Sequence, residues 1–140
     1  MRIVARITAS LEVACALAIG MPPTLGAQIT RAEYVARRDS LAARIGEGVL
    51  VAFGGVTPLT DFDPFYQLPA FRYLTGYEQA DAALVIVVKG GRGTSTLFVK
   101  RTPARRSLYY GAEPDSAALA RDLGLGSRPV DQVTQVIDSL

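Results

Sequence analysis

The sequence predicts an α/β fold: a single domain in which helices flank a small mixed β-sheet, placed after a signal peptide. The main observation is an apolar run rich in β-branched residues at positions 82–88, bounded by Asp81 and by Lys89-Gly90-Gly91. This composition is typical of a strand that is buried on both faces. Shorter apolar stretches supply neighbouring strands, and helical patterns at either end of the chain supply the cover.

Composition limits the possible function classes. The chain has 140 residues and a formal net charge of +2, which is too small to favour nucleic acid or an anionic membrane surface as a partner. Histidine is absent, and the single cysteine, Cys15, lies in the predicted leader. The predicted mature chain therefore excludes Ser-His-Asp triads, cysteine nucleophiles, disulfides, and imidazole or thiolate metal sites.

Residues 1–27 are organised like a secretory signal peptide. Arg2 and Arg6 give a basic start, positions 13–21 give an apolar centre, and Ala27 offers a small residue for cleavage. The apolar run is too short to span a bilayer. We therefore expect an exported protein, periplasmic or secreted, with its folded domain at residues 28–140 and no membrane span. A disordered start is the alternative.

The first element of the domain is an amphipathic helix at residues 30–46. Thr30 and Glu33 have the spacing of a capping box, and Gly46 is suited to end the helix. The face predicted to pack on the sheet carries Tyr34, Val35, Arg38, Leu41, Ala42 and Ile45. The face predicted to be solvated carries Arg31, Glu33, Arg37, Asp39 and Arg44.

A strand at residues 49–53 is followed by a segment without periodicity at 56–69. Three prolines keep this segment irregular, and a loop of this length is often functional. Asp61 and Asp63 offer paired carboxylates for a cation, but the segment lacks the further oxygen ligands of a calcium loop. Solvated loop acids are the favoured interpretation.

Glycines at positions 90–93 lie between two apolar runs and predict a β-hairpin that joins residues 82–88 to 95–99. A phosphate-binding loop is the weaker interpretation, because no helix N-terminus follows the glycines. The basic segment at 100–106 is predicted to be a solvated loop, and residues 108–111 a brief strand or turn.

Two helices are predicted to complete the domain. One spans residues 114–123, with Asp115 as its cap and Gly124 as its stop. The other begins at Val130 with Asp131 as its cap. The available bases are carboxylates and two lysines, and the serines have no base within sequence reach. The residues alone therefore indicate an exported α/β domain and leave its role open.

One cluster of residues resembles the pattern of a known protein family. The pattern Phe71-x-Tyr73-Leu74-Thr75-Gly76-Tyr77, followed by Asp81-Ala82 and an apolar strand, resembles the N-terminal domain of aminopeptidase P. Tyr34-x-x-Arg37-Arg38-x-x-Leu41 and Tyr109-x-Gly111 fit the same resemblance, which covers about residues 30–140. The family comprises Xaa-Pro aminopeptidases, related to prolidases and creatinases. The chain departs from it at Leu68-Pro69, at Arg72 and after Gly111.

The resemblance implies a creatinase/aminopeptidase P N-terminal-domain-like fold in a chain that is not itself catalytic. Family members are metalloaminopeptidases whose C-terminal domain holds two metal ions, usually Mn²⁺, through Asp, His and Glu. That domain removes the N-terminal residue that precedes a proline. Those ligands have no counterpart in this chain, so we expect no cofactor, no catalytic or metal-binding residue and no peptidase activity here.

The partners that the resemblance implies are the C-terminal catalytic domain, further copies of the chain in a homo-oligomer, and peptides with proline at the second position. In such enzymes the N-terminal domain helps to assemble oligomers and walls off the substrate cleft. The alternative from a different class is a free-standing exported module of the same fold that binds peptides or a partner protein.

Aromatic side chains are the candidates for a cleft or an interface, because they combine rigid apolar area with polar tips. The candidates are Tyr66, Phe71, Arg72, Tyr73, Tyr77, Tyr109 and Tyr110. Packing beneath the sheet is the alternative role and is favoured for Phe71 and Tyr73. Tyr109 and Tyr110 are the residues most expected to face a cleft.

Overall fold

The computed structural model describes residues 29–60, 62–101 and 115–140. Several sequence predictions lie outside the described residues: the signal peptide, the role of Asp61, most of the basic segment at 100–106, and the short strand at 108–111. The candidate residues Tyr109 and Tyr110 lie outside them as well.

The described residues form four α-helices, a single 3-10 turn and four strands. The helices are α1 (Arg31–Ile45), α2 (Pro69–Thr75), α3 (Ser116–Leu123) and α4 (Val133–Asp138), and the 3-10 turn is Val130–Gln132. The strands are β1 (Gly48–Phe53), β2 (Ala83–Lys89), β3 (Arg92–Val99) and β4 (Gly126–Pro129).

The four strands make one mixed sheet in the order β1-β2-β3-β4, which confirms the predicted fold class. The first three strands are antiparallel neighbours, whereas β3 and β4 are parallel. The β2–β3 hairpin turns at Gly90 and Gly91, whose φ values of 57° and 73° are those that a tight two-residue turn requires. The hairpin prediction is thus confirmed.

Strand β2 is buried on both faces, as its composition predicts. Leu84, Ile86 and Val88 face a core that α1, α2 and α3 cover, whereas Ala83 and Val85 face a smaller core on the other side. The smaller core contains Phe98 and is covered by partly buried valines from the 3-10 turn and α4, namely Val130, Val133 and Val136. The sheet therefore lies between two layers of helix.

Helix α1 begins and ends where its cap signals predict. The Thr30 hydroxyl accepts a hydrogen bond from the Glu33 N–H, and the Gly46 N–H donates to the Ala42 carbonyl. The Glu33 carboxylate pairs with Arg37 one turn later. The prediction that Arg37 lies on a solvated face is wrong, because only 14% of its side chain is exposed.

Two elements were not predicted, and one predicted helix cap is wrong. Helix α2 was not predicted, because seven residues are too few to show a clear helical period. Strand β4 was not predicted either, since Gly-Ser-Arg-Pro has none of the apolar alternation of a strand. Asp131 does not cap the last helix; it lies within the 3-10 turn, and no side chain caps the start of α4.

Candidate functional site

Helix α2 carries most of the candidate residues, and its ends are fixed by its own sequence. Pro69 occupies the first turn, where its missing N–H costs no hydrogen bond. At the other end Gly76 adopts the left-handed conformation, with φ of 68°, and its N–H donates to the Arg72 carbonyl. The buried Thr75 hydroxyl donates to the Phe71 carbonyl at 2.8 Å and accepts from the Tyr77 N–H at 3.0 Å.

Gly76 is also the point where α2 meets α1. A β-carbon at this position would lie 2.5 Å from the ring of Tyr34, so the contact between the two helices requires glycine. The Thr75-Gly76 pair thus terminates a helix and admits a neighbouring aromatic ring. Both residues have structural roles.

The candidate residues that the structure describes divide into two groups. Phe71 is fully buried, and Tyr77 is buried with its hydroxyl donating to the Gln79 side chain at 3.0 Å. Tyr66 and Tyr73 are 77% and 56% exposed, and the exposed Arg72 pairs with Glu78 at 2.8 Å. The preference for a core position therefore holds for Phe71 and not for Tyr73.

Arg37 organises the exposed surface between α1 and α2. Its guanidinium carbon lies 4.2 Å from the centre of the Tyr73 ring and 5.3 Å from that of Tyr34. It also donates to the Tyr73 carbonyl at 3.0 Å and pairs with Glu33. These contacts hold the cation and the Tyr73 ring in one arrangement beside an open groove that Leu41, Pro69 and Ala70 help to line.

Arg38, the next residue, points into the protein. Its guanidinium donates to the carbonyl of Leu74 at 2.9 Å and to those of Leu123 and Gly124 at 3.1 and 3.3 Å. These carbonyls lie at the C-terminal ends of α2 and α3, where unpaired acceptors and the negative end of the helix dipole favour a cation. Burial is the main cause that lowers the pKa of Arg38, although an arginine remains charged in proteins.

Two side chains that the sequence analysis did not place among the candidate site residues anchor the loop between β1 and α2. The Gln67 amide oxygen accepts from the N–H of Gly55 at 2.6 Å, and its nitrogen donates to the carbonyls of Tyr77 and Gln79 at 3.2 and 3.0 Å. A glutamine in a proline-rich stretch gives no local signal of such contacts, because its partners lie 10 and 12 residues away.

Asp81 provides the second anchor. Its carboxylate accepts from the N–H of Thr57 at 2.9 Å, from the Thr57 hydroxyl and from the Lys100 ammonium. Burial would raise the pKa of Asp81, but the hydrogen bonds from Lys100 and Thr57 outweigh it and hold that pKa below its usual range. The φ of Asp81 is 55°, a backbone conformation that is uncommon outside glycine and that Asp adopts more readily than most residues.

The loop between β1 and α2 exposes large apolar side chains, which we call the apolar loop surface. It consists of Val56, Leu59, Phe62, Tyr66 and Leu68. Phe62 is 97% exposed, and Leu59 is fully exposed. Exposed apolar side chains mark interaction sites where they form a contiguous patch, and they are ordinary where they stand singly.

The described residues supply exposed aromatic and apolar side chains that are suited to binding. Among these residues, no three His, Cys, Asp or Glu side chains come together where they could hold a metal ion. The resemblance assigns its pair of metal ions to a C-terminal domain, and the described residues offer no ligand set for them. No helix in the described part of the chain is long and apolar enough to cross a bilayer.

The fold and this surface define a class of protein: an α/β domain whose motif residues pack in the core, cap helices or present aromatic rings at the surface. The family description "Aminopeptidase P, N-terminal domain" matches residues 34–140. The chain belongs to this family, as the sequence resemblance predicts.

Solved structures of aminopeptidases P share the fold. The low-pH form of the Escherichia coli enzyme is 24% identical with a TM-score of 0.70, over 80% of this chain and 27% of that one. A zinc-substituted E. coli enzyme in complex with product gives the same identity and TM-score over 81% of this chain. Proline aminopeptidase P II from Yersinia pestis is 25% identical with a TM-score of 0.68, over 78% of this chain and 26% of that one. Comparison with curated protein sequences gives no significant match.

The chain thus spans about a quarter of the length of the solved structures that it matches.

Proposed function

We propose that this chain acts as the non-catalytic N-terminal domain of a proline-specific metalloaminopeptidase, contributing to oligomer assembly and to the walls of the substrate cleft. The observation that carries the proposal is the family match over residues 34–140, combined with a described surface that lacks a metal-ligand cluster. The peptidase chemistry and its two Mn²⁺ ions then belong to a separate catalytic domain. Peptides with proline at the second position are the proposed substrates.

The exposed groups support a role in binding. Hydrogen bonds to Gln67 and Asp81 fix the ends of the loop that carries the apolar loop surface, which reduces the backbone entropy that those ends lose when the loop meets a partner. Tyr73 is held in place by Arg37 and offers a rigid ring with a polar tip. These features suit a wall against which another domain, a second copy or a peptide packs.

A direct test measures activity in the purified chain. With Mn²⁺ and a peptide that has proline at its second position, the chain is expected to release no N-terminal residue. Metal-dependent release by the chain alone would overturn the proposal. The genomic sequence downstream of Leu140 gives a second test, because a continuing frame that encodes Asp, His and Glu ligands is expected.

The free-standing interaction module is the second candidate, and the apolar loop surface is the observation that favours it. Substituting Phe62 by serine separates the two. In a longer enzyme the change is expected to impair assembly or activity, whereas in a free module it weakens binding of a peptide or protein partner. Thr134→Ser, at an exposed position of α4, is the matched control.

We also propose that the protein is exported and that residues 1–27 are removed as a signal peptide. The basic start at Arg2 and Arg6 and the small residue Ala27 support this proposal. Fractionation of the expressing cell and the intact mass of the product test it. A cytoplasmic protein that retains Met1 would contradict it.

A further inference from the structure

Strand β1 lies at one edge of the sheet, and in the described part of the chain it pairs only with β2. Proteins usually protect such an edge with a charge, a proline, a bulge or a very short strand. Strand β4, at the opposite edge, has such protection, because it is four residues long and contains Arg128 and Pro129. Strand β1 has six residues, Gly-Val-Leu-Val-Ala-Phe, with no charge and no proline.

The backbone groups on the open side of β1 can be assigned. Gly54 directly follows β1, and its N–H donates at 2.8 Å to the carbonyl of Ala82, the residue just before β2. Even-numbered positions of β1 therefore direct their backbone groups to β2. Because these groups alternate along a strand, Val49, Val51 and Phe53 direct theirs to the open edge. The side chains of Val49 and Phe53 are also 45% and 62% exposed.

We infer that this edge pairs with β1 of a second copy of the chain, in antiparallel orientation, so that the four described strands of each copy join in one continuous sheet. The inference rests on the oligomeric part of the proposed function and names the partner and the surface. Two-fold symmetry allows several antiparallel registers, and the register centred on Val51 is the one that places all three edge-facing residues in hydrogen-bonded pairs.

In that register Val51 lies opposite Val51 of the second copy. Val49 then faces Phe53 of the second copy, which is a favourable pair of a β-branched and an aromatic side chain. On the other face Leu50 lies opposite Ala52, so a large side chain meets a small one. The odd-numbered residues, whose backbone groups are directed to the edge that is open in the described part of the chain, form the hydrogen-bonded pairs. No charged side chains of the two strands oppose each other.

The dimer is expected to be weak and dependent on concentration, since one strand pair buries less area than a standard stable interface of about 1,600 Å². The test is sedimentation equilibrium of the full chain in a concentration series that reaches about 1 mM. Val49→Pro removes one edge-facing N–H from each copy and is expected to raise the dimer Kd about tenfold or more. Val49→Thr keeps the N–H and is expected to leave the Kd within a few-fold of wild type.

A pair of double variants tests the register and keeps the N–H groups, so it serves even if the proline variant fails to fold. V49K/F53K places like charges opposite each other at both ends of the paired strands and is expected to give a monomer. V49K/F53E places opposite charges there and is expected to restore the dimer. Circular dichroism checks that each variant is folded.

A wild-type chain that stays monomeric throughout the series would overturn the inference, as would a dimer that Val49→Pro leaves unchanged or charge variants that behave alike. Failure of the edge pairing is distinguishable from failure of the proposed function. A monomeric chain that still enhances the activity of a separately supplied catalytic domain removes only the pairing. A β1-paired dimer that itself shows metal-dependent peptidase activity removes only the non-catalytic role.

Discussion

Replacing Arg38 by methionine is expected to destabilise the domain more than any other change to a charged residue of α1. The guanidinium donates to three carbonyls at the ends of two helices, and Arg38 as a whole residue is 4% exposed. Methionine keeps most of the apolar stem and donates nothing. The Leu74, Leu123 and Gly124 carbonyls would then lose a charged donor that links α1 to α2 and α3.

The size of the effect follows from these three contacts. Hydrogen bonds to a charged group contribute about 1.5–3 kcal/mol each, and only the bond to Leu74 is fully buried. The two partly buried bonds contribute less, and removing a buried charge recovers part of its desolvation cost. The net loss is about 2–4 kcal/mol. For a domain of about 110 residues this lowers Tm by about 8–16 °C.

Thermal and urea unfolding of wild type, Arg38→Met and Arg37→Met measure this difference. Arg37 is the matched control, because it is the adjacent arginine and, although its own side chain is largely covered, its partners Tyr73 and Glu33 are exposed. Its loss is expected to cost about 1 kcal/mol or less. Arg38→Lys keeps the charge but not the planar fork, and is expected to fall between wild type and Arg38→Met. If Arg38→Met is no less stable than Arg37→Met, the bridging role is refuted.

Two further predictions concern the end of α2 and the loop anchor. Gly76→Ala combines a left-handed backbone with a β-carbon placed against Tyr34, so it is expected to lower the free energy of urea unfolding by about 2–4 kcal/mol. Gly90→Ala, which has open space around the new β-carbon, is expected to lower it by about 1 kcal/mol. Equal losses would contradict the contact between Gly76 and Tyr34. For Asp81 the folded-state pKa lies below the unfolded one, so the stability that it contributes is present above about pH 4 and is lost as pH falls through the folded-state pKa. The stability difference between wild type and Asp81→Asn should therefore shrink in acid, and a difference that does not vary with pH would argue against the pairing with Lys100.

Local signals predicted the sheet well. The apolar composition of β2 specified burial on both faces, and Gly90-Gly91 specified the turn, because both features depend on residues adjacent in sequence. Strand β4 has no such signal. Its four residues become a strand because α3 returns the chain beside β3 in a parallel arrangement, and that pairing is decided by tertiary structure.

The candidate site was predicted in part, because an aromatic residue type does not specify burial. Once α2 is known to be a helix, its phase separates the residues: Phe71, Leu74 and Thr75 share the buried face, and Tyr73 lies outside it. Pro69 and Gly76 are the start and stop signals that could have revealed this helix. No comparable signal exists for Arg38, whose partners lie 36, 85 and 86 residues away.

The residues that carry the family resemblance are mainly those that hold the fold together. Thr75 and Gly76 terminate α2, and Arg38 joins the ends of two helices, so each is constrained by buried contacts. A match at these positions therefore indicates a common architecture and says little about what the surface binds. Specificity must then reside in exposed groups that architecture does not fix, such as Tyr73 and Phe62. Chains that share the buried pattern are expected to differ at those positions when their partners differ.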